Sequence, residues 1–350
     1  MRLTSISLEN FRNYKQISVD ISSDLVLILG ANASGKTNFL ESIYFLSLLK
    51  SFRSPDQFLV KSGENYFRIE VKAGMAETFE VVVQTEPILK RAFKLDGQRI
   101  KRGLWKSFAT VLFVPQDLNL FSFGPAPRRR YLDDTLSQIS KNYSADLASL
   151  DHVLLQRKKL LEKIFANQAR KEELAFWDEQ LMTLTMSIGS ERKGFLDFLN
   201  SRVNEAYKNL TGFQMDLQIE YKTYADSQLT ARLREYQEAE IRLGQNLVGP
   251  HREDFLVKKQ GQLNVYNSSR GELRAQILAI KLLQAEYLDQ HDQPPVILLD
   301  DVFSELDEER RIKLLAHLSG HQIFITTTEE HHLPEIKNAQ IFTVKDGKIE

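Results

Sequence analysis

The sequence predicts an α/β fold whose sheet is interrupted by a helical insertion. Three observations carry this. Gly30-Ala31-Asn32-Ala33-Ser34-Gly35-Lys36-Thr37 matches G-x-x-x-x-G-K-[ST] and sits between the apolar run Leu25 to Leu29 and an apolar helical stretch. Val296-Ile297-Leu298-Leu299-Asp300-Asp301 is a second buried-strand pattern, and it ends in two carboxylates. Between the two, residues 128–210 contain no proline and carry Leu, Ile, Phe and Trp at helical spacing, with dense charge between them.

The elements follow in order. Leu3 to Leu8 alternates imperfectly and predicts a strand; Ile17, Val19 and Ile21 alternate cleanly and predict a second. Leu25 to Leu29 reads as a strand buried on both faces, and Thr37 to Leu49 as a helix. Residues 66–100 alternate through Phe67, Ile69 and Val71, then Phe79, Val81 and Val83, then Phe93 and Leu95 before an Asp96-Gly97 turn. Val111 to Val114 is a strand stopped by Pro115. Phe213 to Tyr221 alternates strictly and predicts a strand; Leu229 to Leu243 predicts a helix. Phe255 to Val257 and Leu263 to Tyr266 predict a hairpin around Gly261. Glu272 to Leu288 reads as a helix, and Val296 to Leu299 and Ile323 to Thr326 as strands. The expected organisation is a split α/β head over 1–127 and 211–350, with a helical lobe over 128–210.

Composition bounds the function. With 350 residues, about two domains are expected. A content of 42% hydrophobic and 27% charged residues is that of an ordinary globular protein, which buries a core without disulfides or metals. The 46 basic and 47 acidic residues leave a net charge of −1, which excludes a globally cationic coat but leaves room for a local basic face. The absence of cysteine excludes a disulfide scaffold, a Cys-ligated zinc, an iron–sulfur cluster and thiol catalysis, and fits a reducing compartment. No apolar run reaches the roughly 20 residues of a membrane span. Met1 to Tyr14 lacks a signal-peptide block and carries Glu9 and Arg12. The expectation is a soluble cytoplasmic protein with no membrane partner.

The chemistry is expected at the phosphate loop. Its glycines let backbone N–H groups wrap phosphates, and the following helix presents its positive end. Lys36 is placed to reach β- and γ-phosphates, and the Thr37 hydroxyl to ligate Mg²⁺. Asp300 suits a Mg²⁺ contact, and Asp301 suits orienting or deprotonating an attacking water. The alternative for the pair is helix capping ahead of Phe303. Asn38 is read as a cap or brace for the phosphate-loop helix. Ser269-Arg270-Gly271-Glu272 opens another helix, a second anion-binding end.

This order of motifs resembles the ABC-type P-loop ATPases of the SMC and RecF kind, and over nearly the whole chain it resembles the RecF family. The resemblance rests on Leu8-Glu9-Asn10-Phe11-Arg12-Asn13-Tyr14, the phosphate loop with Asn38, and Phe113-Val114-Pro115-Gln116-Asp117-Leu118. It rests also on Gly124-Pro125 with Arg128-Arg129-Arg130-Tyr131-Leu132-Asp133, on Gly249-Pro250-His251-Arg252-Glu253-Asp254, on Ser269-Arg270-Gly271, and on Leu298 to Asp307. It implies an ABC-type head binding ATP and Mg²⁺, with Arg12 near the nucleotide and Gln116 near Mg²⁺ or the attacking water. Ser269 and Gly271 would act in trans across an ATP-dependent homodimer, with Asp307 at the dimer contact. It further implies weak, DNA-dependent ATP hydrolysis, binding to double-stranded, gapped or junction DNA, and partnership with RecR and RecO to load RecA in replication, recombinational repair and the SOS response.

The sequence departs from the wider ABC pattern at two places. Thr326-Thr327-Thr328 stands where transporters carry a switch histidine, with His331 and His332 further on, and Glu272 stands where a neutral residue is common. Slow hydrolysis, suited to a switch, is the expectation.

DNA contact is expected from Lys90, Arg91, Lys94, Arg99, Lys101, Arg102 and Lys106, which face a single acid, Asp96, with Arg128 and Arg129 in the run Arg128 to Arg130 as a second candidate that could instead hold the helical lobe together or touch nucleotide. The alternative is a solvated hairpin. Residues 151–210 balance ten basic against nine acidic residues and read as a solvated helical face. No base-reading motif appears, so contact with backbone and shape is expected. His251 reads as a structural histidine. A transporter subunit is disfavoured by the Thr run and the insertion. An SMC-type clamp would need longer arms than 128–210 supplies. A nuclease would need a second cluster of carboxylates or histidines.

Overall fold

The alternation of the first hundred residues becomes a six-stranded antiparallel sheet in the order Tyr14–Asp20, Leu3–Phe11, Tyr66–Ala73, Glu77–Gln84, Lys90–Leu95, Gln98–Ile100. The structure, a computed structural model, describes residues 2–74, 77–105, 107–328 and 339–350; Lys106, His331 and His332 lie outside them. The last hairpin turns at Asp96 and Gly97, both at positive φ (50° and 76°), the conformation a tight two-residue hairpin demands.

A second six-stranded sheet runs Lys348–Ile349, Gln340–Lys345, Leu25–Leu29, Ile323–Thr327, Val296–Asp300, Thr110–Phe113. Every pairing in it is parallel except that of the terminal hairpin Gln340–Lys345 and Lys348–Ile349. The strand before the phosphate loop and the strand carrying the acids are therefore not neighbours. Ile323–Thr327 lies between them, with Thr326 paired to Ile28 on one side and to Asp300 on the other. Parallel strands end at one edge of a sheet, so the phosphate loop and the acids emerge together.

The helix Lys36–Leu48 is buried from Phe39 through Leu46 without a break. A helix buried all round needs partners all round. It touches strands of both sheets, and one core joins Phe39, Ile43 and Phe45 to Ile69 and Val81 on one sheet and to Ile28 and Phe324 on the other.

These sheets belong to one of two compact units, comprising Met1–Asp117, Asn209–Thr211 and Gln284–Glu350. The other comprises Leu118–Lys208 and Gly212–Leu283, so residues 118–127 and 212–283, expected with the head, fall in the helical unit. It holds the helices Pro125–Ile139, Lys141–Phe165 and Leu229–Leu243, most of Leu174–Thr211, and the start of Arg270–Gln290. It also holds an antiparallel sheet of Leu217–Lys222, Asp254–Lys259 and Gln262–Leu263.

Two expectations need correction here. The strand predicted from Phe213 begins only at Leu217, because its partner ends at Lys259, paired with Leu217, and turns away at Gln260. Phe213 is exposed. The strand predicted over Leu263 to Tyr266 stops at Leu263; Asn264–Asn267 is a helical turn, held by the Asn264 side chain donating to buried Gln276 at 2.8 Å.

Candidate functional site

The phosphate loop has the backbone its residues require. Gly30 and Gly35 sit at φ 157° and 123°. A Cβ at Gly30 would lie 2.4 Å from the Val344 carbonyl oxygen, and one at Gly35 would lie 2.6 Å from Asn13 Nδ2. Only glycine fits either position. Lys36 is buried and donates to the carbonyls of Gly30 (2.7 Å) and Ala31 (2.9 Å) across the mouth of the loop. Burial pulls its ammonium below the ordinary lysine range, while Asp301 and Asp300 push the other way. The cation is held where an incoming phosphate would restore its solvation.

The acids meet the loop directly. Thr37 Oγ1 donates to Asp300 Oδ1 at 2.8 Å across 263 positions of sequence. Thr326 Oγ1 donates to the same carboxylate at 2.7 Å and accepts from the Asp301 N–H at 3.0 Å. The Thr run, noted in the sequence only for its lack of histidine, therefore positions both acids. Burial raises the Asp300 pKa, opposed by the hydrogen bonds from Thr326 and Thr37. Asp301 sits at φ 53°, and its Oδ1 is buried with no partner among the described residues. The helix-capping alternative does not hold for Asp301, which makes no side-chain capping bond to the turn that follows. A hydroxyl and a carboxylate side by side form an oxygen donor set that suits a hard divalent cation such as Mg²⁺, the unpartnered oxygen of Asp301 suits a water, and the strained glycines leave a cradle for phosphates.

Other side chains brace the loop. Asn13 Nδ2 donates to the Ser34 carbonyl (2.7 Å), Asn38 donates to Asn13 Oδ1 (2.8 Å), and the Tyr14 hydroxyl donates to the Gly35 carbonyl (2.9 Å). Asn38 is thus linked to the loop backbone through Asn13. Arg12 grips buried Glu41 on the loop helix through two hydrogen bonds of 2.8 Å, and Arg53 grips the same carboxylate. Burial alone would raise Glu41, but Arg12, Arg53 and Ser51 hold it below the ordinary carboxylate range. Arg12, Asn13, Asn38, Arg53 and Lys61 line a cleft of ≈ 650 Å³ beside the loop. Gln116 is exposed on the turn Pro115–Leu118, which follows the strand paired with that of Asp300.

Asp307 is exposed and caps the helix Glu308–His317 through the Arg310 N–H at 2.9 Å. In the other unit, Ser269 and Gly271 are exposed at a helix start, and a Cβ at Gly271 would meet open space. Ser269 accepts from the Glu272 N–H (3.2 Å) while Glu272 accepts from the Ser269 N–H (2.7 Å), a reciprocal capping box.

The basic candidates divide. Lys90, Arg99, Lys101 and Arg102 are exposed. Arg91 withdraws from the set: it pairs with Asp56, donates to the Leu49 carbonyl and stacks over Phe45. Lys94 pairs with Glu80. Arg128 also withdraws: it is buried, bidentate to Asp254, and bonded to the carbonyls of Leu120 and Phe123. A buried arginine with all three nitrogens bonded within the protein is poorly placed to take a phosphate. Arg129 is half-buried and donates to the Glu253 carbonyl. No helix among the described residues is long and apolar enough to cross a membrane.

Comparison with known proteins agrees with this geometry. Residues 2–350 match the family described as RecF/RecN/SMC N terminal domain. A DNA replication and repair protein RecF from Moorella thermoacetica is 38% identical over 358 residues, covering 99% of this chain and 96% of that protein. One from Lachnoclostridium phytofermentans is 33% identical and covers 100% and 99%. A solved structure of the recombination mediator RecF with ATP, described as part of the RecFOR pathway, superposes with a TM-score of 0.91 at 32% identity, covering 100% of this chain and 97% of that one. An Smc head bound to part of ScpA shares the fold, with a TM-score of 0.58 at 14% identity.

Proposed function

The chain belongs to the RecF family of DNA replication and repair proteins, with the ABC-type ATPase head of that family, and from this premise we propose that it is an ATP-switched DNA clamp. The observation that carries the proposal is the hydrogen bond from Thr37 to Asp300, with Asp301 beside it, which brings the phosphate-loop motif and the two acids together from distant parts of the chain. In this reading Thr37 and Asp300 hold Mg²⁺ with the nucleotide, the loop N–H groups and Lys36 hold the phosphates, and Asp301 takes a proton from water. Gln116, on the turn after the strand that pairs with the Asp300 strand, would help to orient that water. The magnesium ion supplies charge neutralisation when bound.

Ser269 and Gly271 of one copy would close on the nucleotide of a second copy, with Asp307 at the contact. Their exposure supports this: a helix start with a capped hydroxyl and a glycine facing open space admits close approach by phosphate oxygens. Closure would hold duplex, gapped or junction DNA, and slow hydrolysis would release it. Partnership with RecR and RecO in loading RecA, in replication, repair and the SOS response, follows from the family. So do cytoplasmic localisation and the dependence of hydrolysis on DNA.

Solution mass with Mg²⁺ tests the switch, with and without ATP, for the wild type and Ser269→Arg, each with and without duplex DNA. The wild type is expected to dimerise only with ATP, and Ser269→Arg to bind ATP yet stay monomeric. Normal dimerisation of the variant would overturn the trans role. For the DNA surface, glutamates at Lys90, Arg99, Lys101 and Arg102 are expected to weaken duplex binding and to flatten its salt dependence by about 0.9 per lost phosphate contact. An unchanged salt slope would remove this hairpin from the interface.

A further inference from the structure

Glu272 poses a problem for the proposed closure, because a carboxylate three residues from the Ser269 hydroxyl would face the triphosphate of the second copy. The structure contains an answer on the adjacent hairpin. Lys259, the last residue of Asp254–Lys259, donates to Glu272 Oε1 at 2.9 Å and to the Asn267 carbonyl at 3.0 Å. Asn267 returns a bond to the Lys259 carbonyl at 2.9 Å. The other carboxylate oxygen, Oε2, accepts from the Ser269 N–H. Both oxygens of Glu272 are thus engaged, one by the cap and one by a cation.

The lysine is fixed by its strand. Gln260 and Gly261 turn the chain at positive φ, and Gln260 N–H donates to the Asp216 carbonyl at 3.0 Å, so the backbone that carries Lys259 is held in place. Ser268 is held as well, accepting from the side chain of buried Gln276 at 3.1 Å. The signature loop is anchored on both sides of Ser269.

We infer that Lys259 is a positioning residue for the ATP-driven dimer: it neutralises and holds Glu272, so that the Ser269 end of the helix presents donors and no net negative charge to the nucleotide of a second copy. The inference rests on the trans reading of Ser269. It explains how a glutamate is tolerated in the signature. The capping box needs only an oxygen acceptor at Glu272, which glutamine supplies equally, whereas the charge of glutamate requires the lysine.

The test is a double-mutant comparison of ATP-dependent dimerisation by sedimentation at low salt, with ATP affinity of the monomer and thermal unfolding measured beside it. Lys259→Met is expected to weaken dimerisation about tenfold or more through uncompensated like charge, with ATP affinity unchanged. Glu272→Gln is expected to dimerise at least as well as wild type, and Lys259→Met with Glu272→Gln to recover wild-type dimerisation. If Lys259 merely packed the loop, the double variant would stay as weak as Lys259→Met, and that result overturns the inference. So does a Lys259→Met protein that dimerises normally while Ser269→Arg does not. Should Lys259→Met fail to fold, a marked loss of dimerisation in Glu272→Gln alone would overturn it. If Ser269→Arg itself dimerises with ATP, the trans reading falls first and takes this inference with it.

Discussion

Asp301→Asn is expected to bind ATP and pair with a second copy while hydrolysing ATP about 10²- to 10⁴-fold more slowly, the range a general base contributes. The division of labour between the two acids supports this choice. Asp300 is occupied: it accepts from Thr37 and Thr326, and its burial disfavours charge. Asp301 keeps a buried oxygen without a partner among the described residues, next to that cluster. Its backbone N–H is pinned to the Thr326 hydroxyl, and its φ of 53° turns the chain sharply after the strand. Asparagine is among the residues that adopt this conformation readily, so the substitution removes the carboxylate without adding strain. Single-turnover hydrolysis measured beside solution mass separates the steps. Turnover within about threefold of wild type would remove the assignment, and Gln116 would be the next group to examine.

Several parts of this site were legible because local pattern and global packing agree there. Leu25 to Leu29 reads as a strand buried on both faces, and it lies between two parallel neighbours. The phosphate loop names its own glycines. The pairing of Thr37 with Asp300 could be expected from motif order, since parallel strands deliver their ends to one edge. What the sequence hid were partners fixed only by the fold. Arg12 was expected near the nucleotide, yet nothing local says that its guanidinium is shared between the cleft and Glu41. Asn13, one position further, braces the loop through Ser34, and no periodicity marks it. Thr326 looked like a missing histidine and proves to be the hydroxyl that orders both acids. The basic runs misled most. Arg91 and Arg128 count as surface charge in any composition window, but each is consumed by an acid from a distant element, Asp56 and Asp254. Strict alternation at Phe213 and Met215 failed for a related reason: a strand needs a partner, and the partner ends at Lys259.

Arg192→Met is expected to destabilise the helical unit by about 3–5 kcal/mol, the cost of breaking a buried ion pair by removing one member. The Arg192 side chain is 2% exposed and pairs with Glu253, itself 1% exposed, at 2.9 Å. Its other donors reach the Tyr143 hydroxyl (2.9 Å), the Pro250 carbonyl (2.8 Å) and Asp133 (2.8 Å). Burial opposes the charge on Arg192, but Asp133, Tyr143 and Glu253 more than offset it and drive its pKa upward. Glu253 also accepts from the Thr223 hydroxyl and the Tyr224 N–H. Methionine would fill the space and leave two carboxylates without their cation. Lysine would recover part of the loss, because one ammonium cannot reproduce the planar fork. Urea unfolding followed by far-UV circular dichroism measures the effect, and a loss below about 1 kcal/mol would show that the network is dispensable. This cluster also accounts for Gly249-Pro250-His251-Arg252-Glu253-Asp254. Glu253 and the Pro250 carbonyl receive Arg192, Asp254 receives Arg128, and burial pushes His251 down to about 4, so it is neutral at physiological pH and not poised to titrate there. The segment is scaffold, and it launches the strand Asp254–Lys259, whose final residue holds Glu272. Damage at Arg192 should therefore weaken ATP-driven dimerisation as well as stability, whereas Lys259→Met should weaken dimerisation alone.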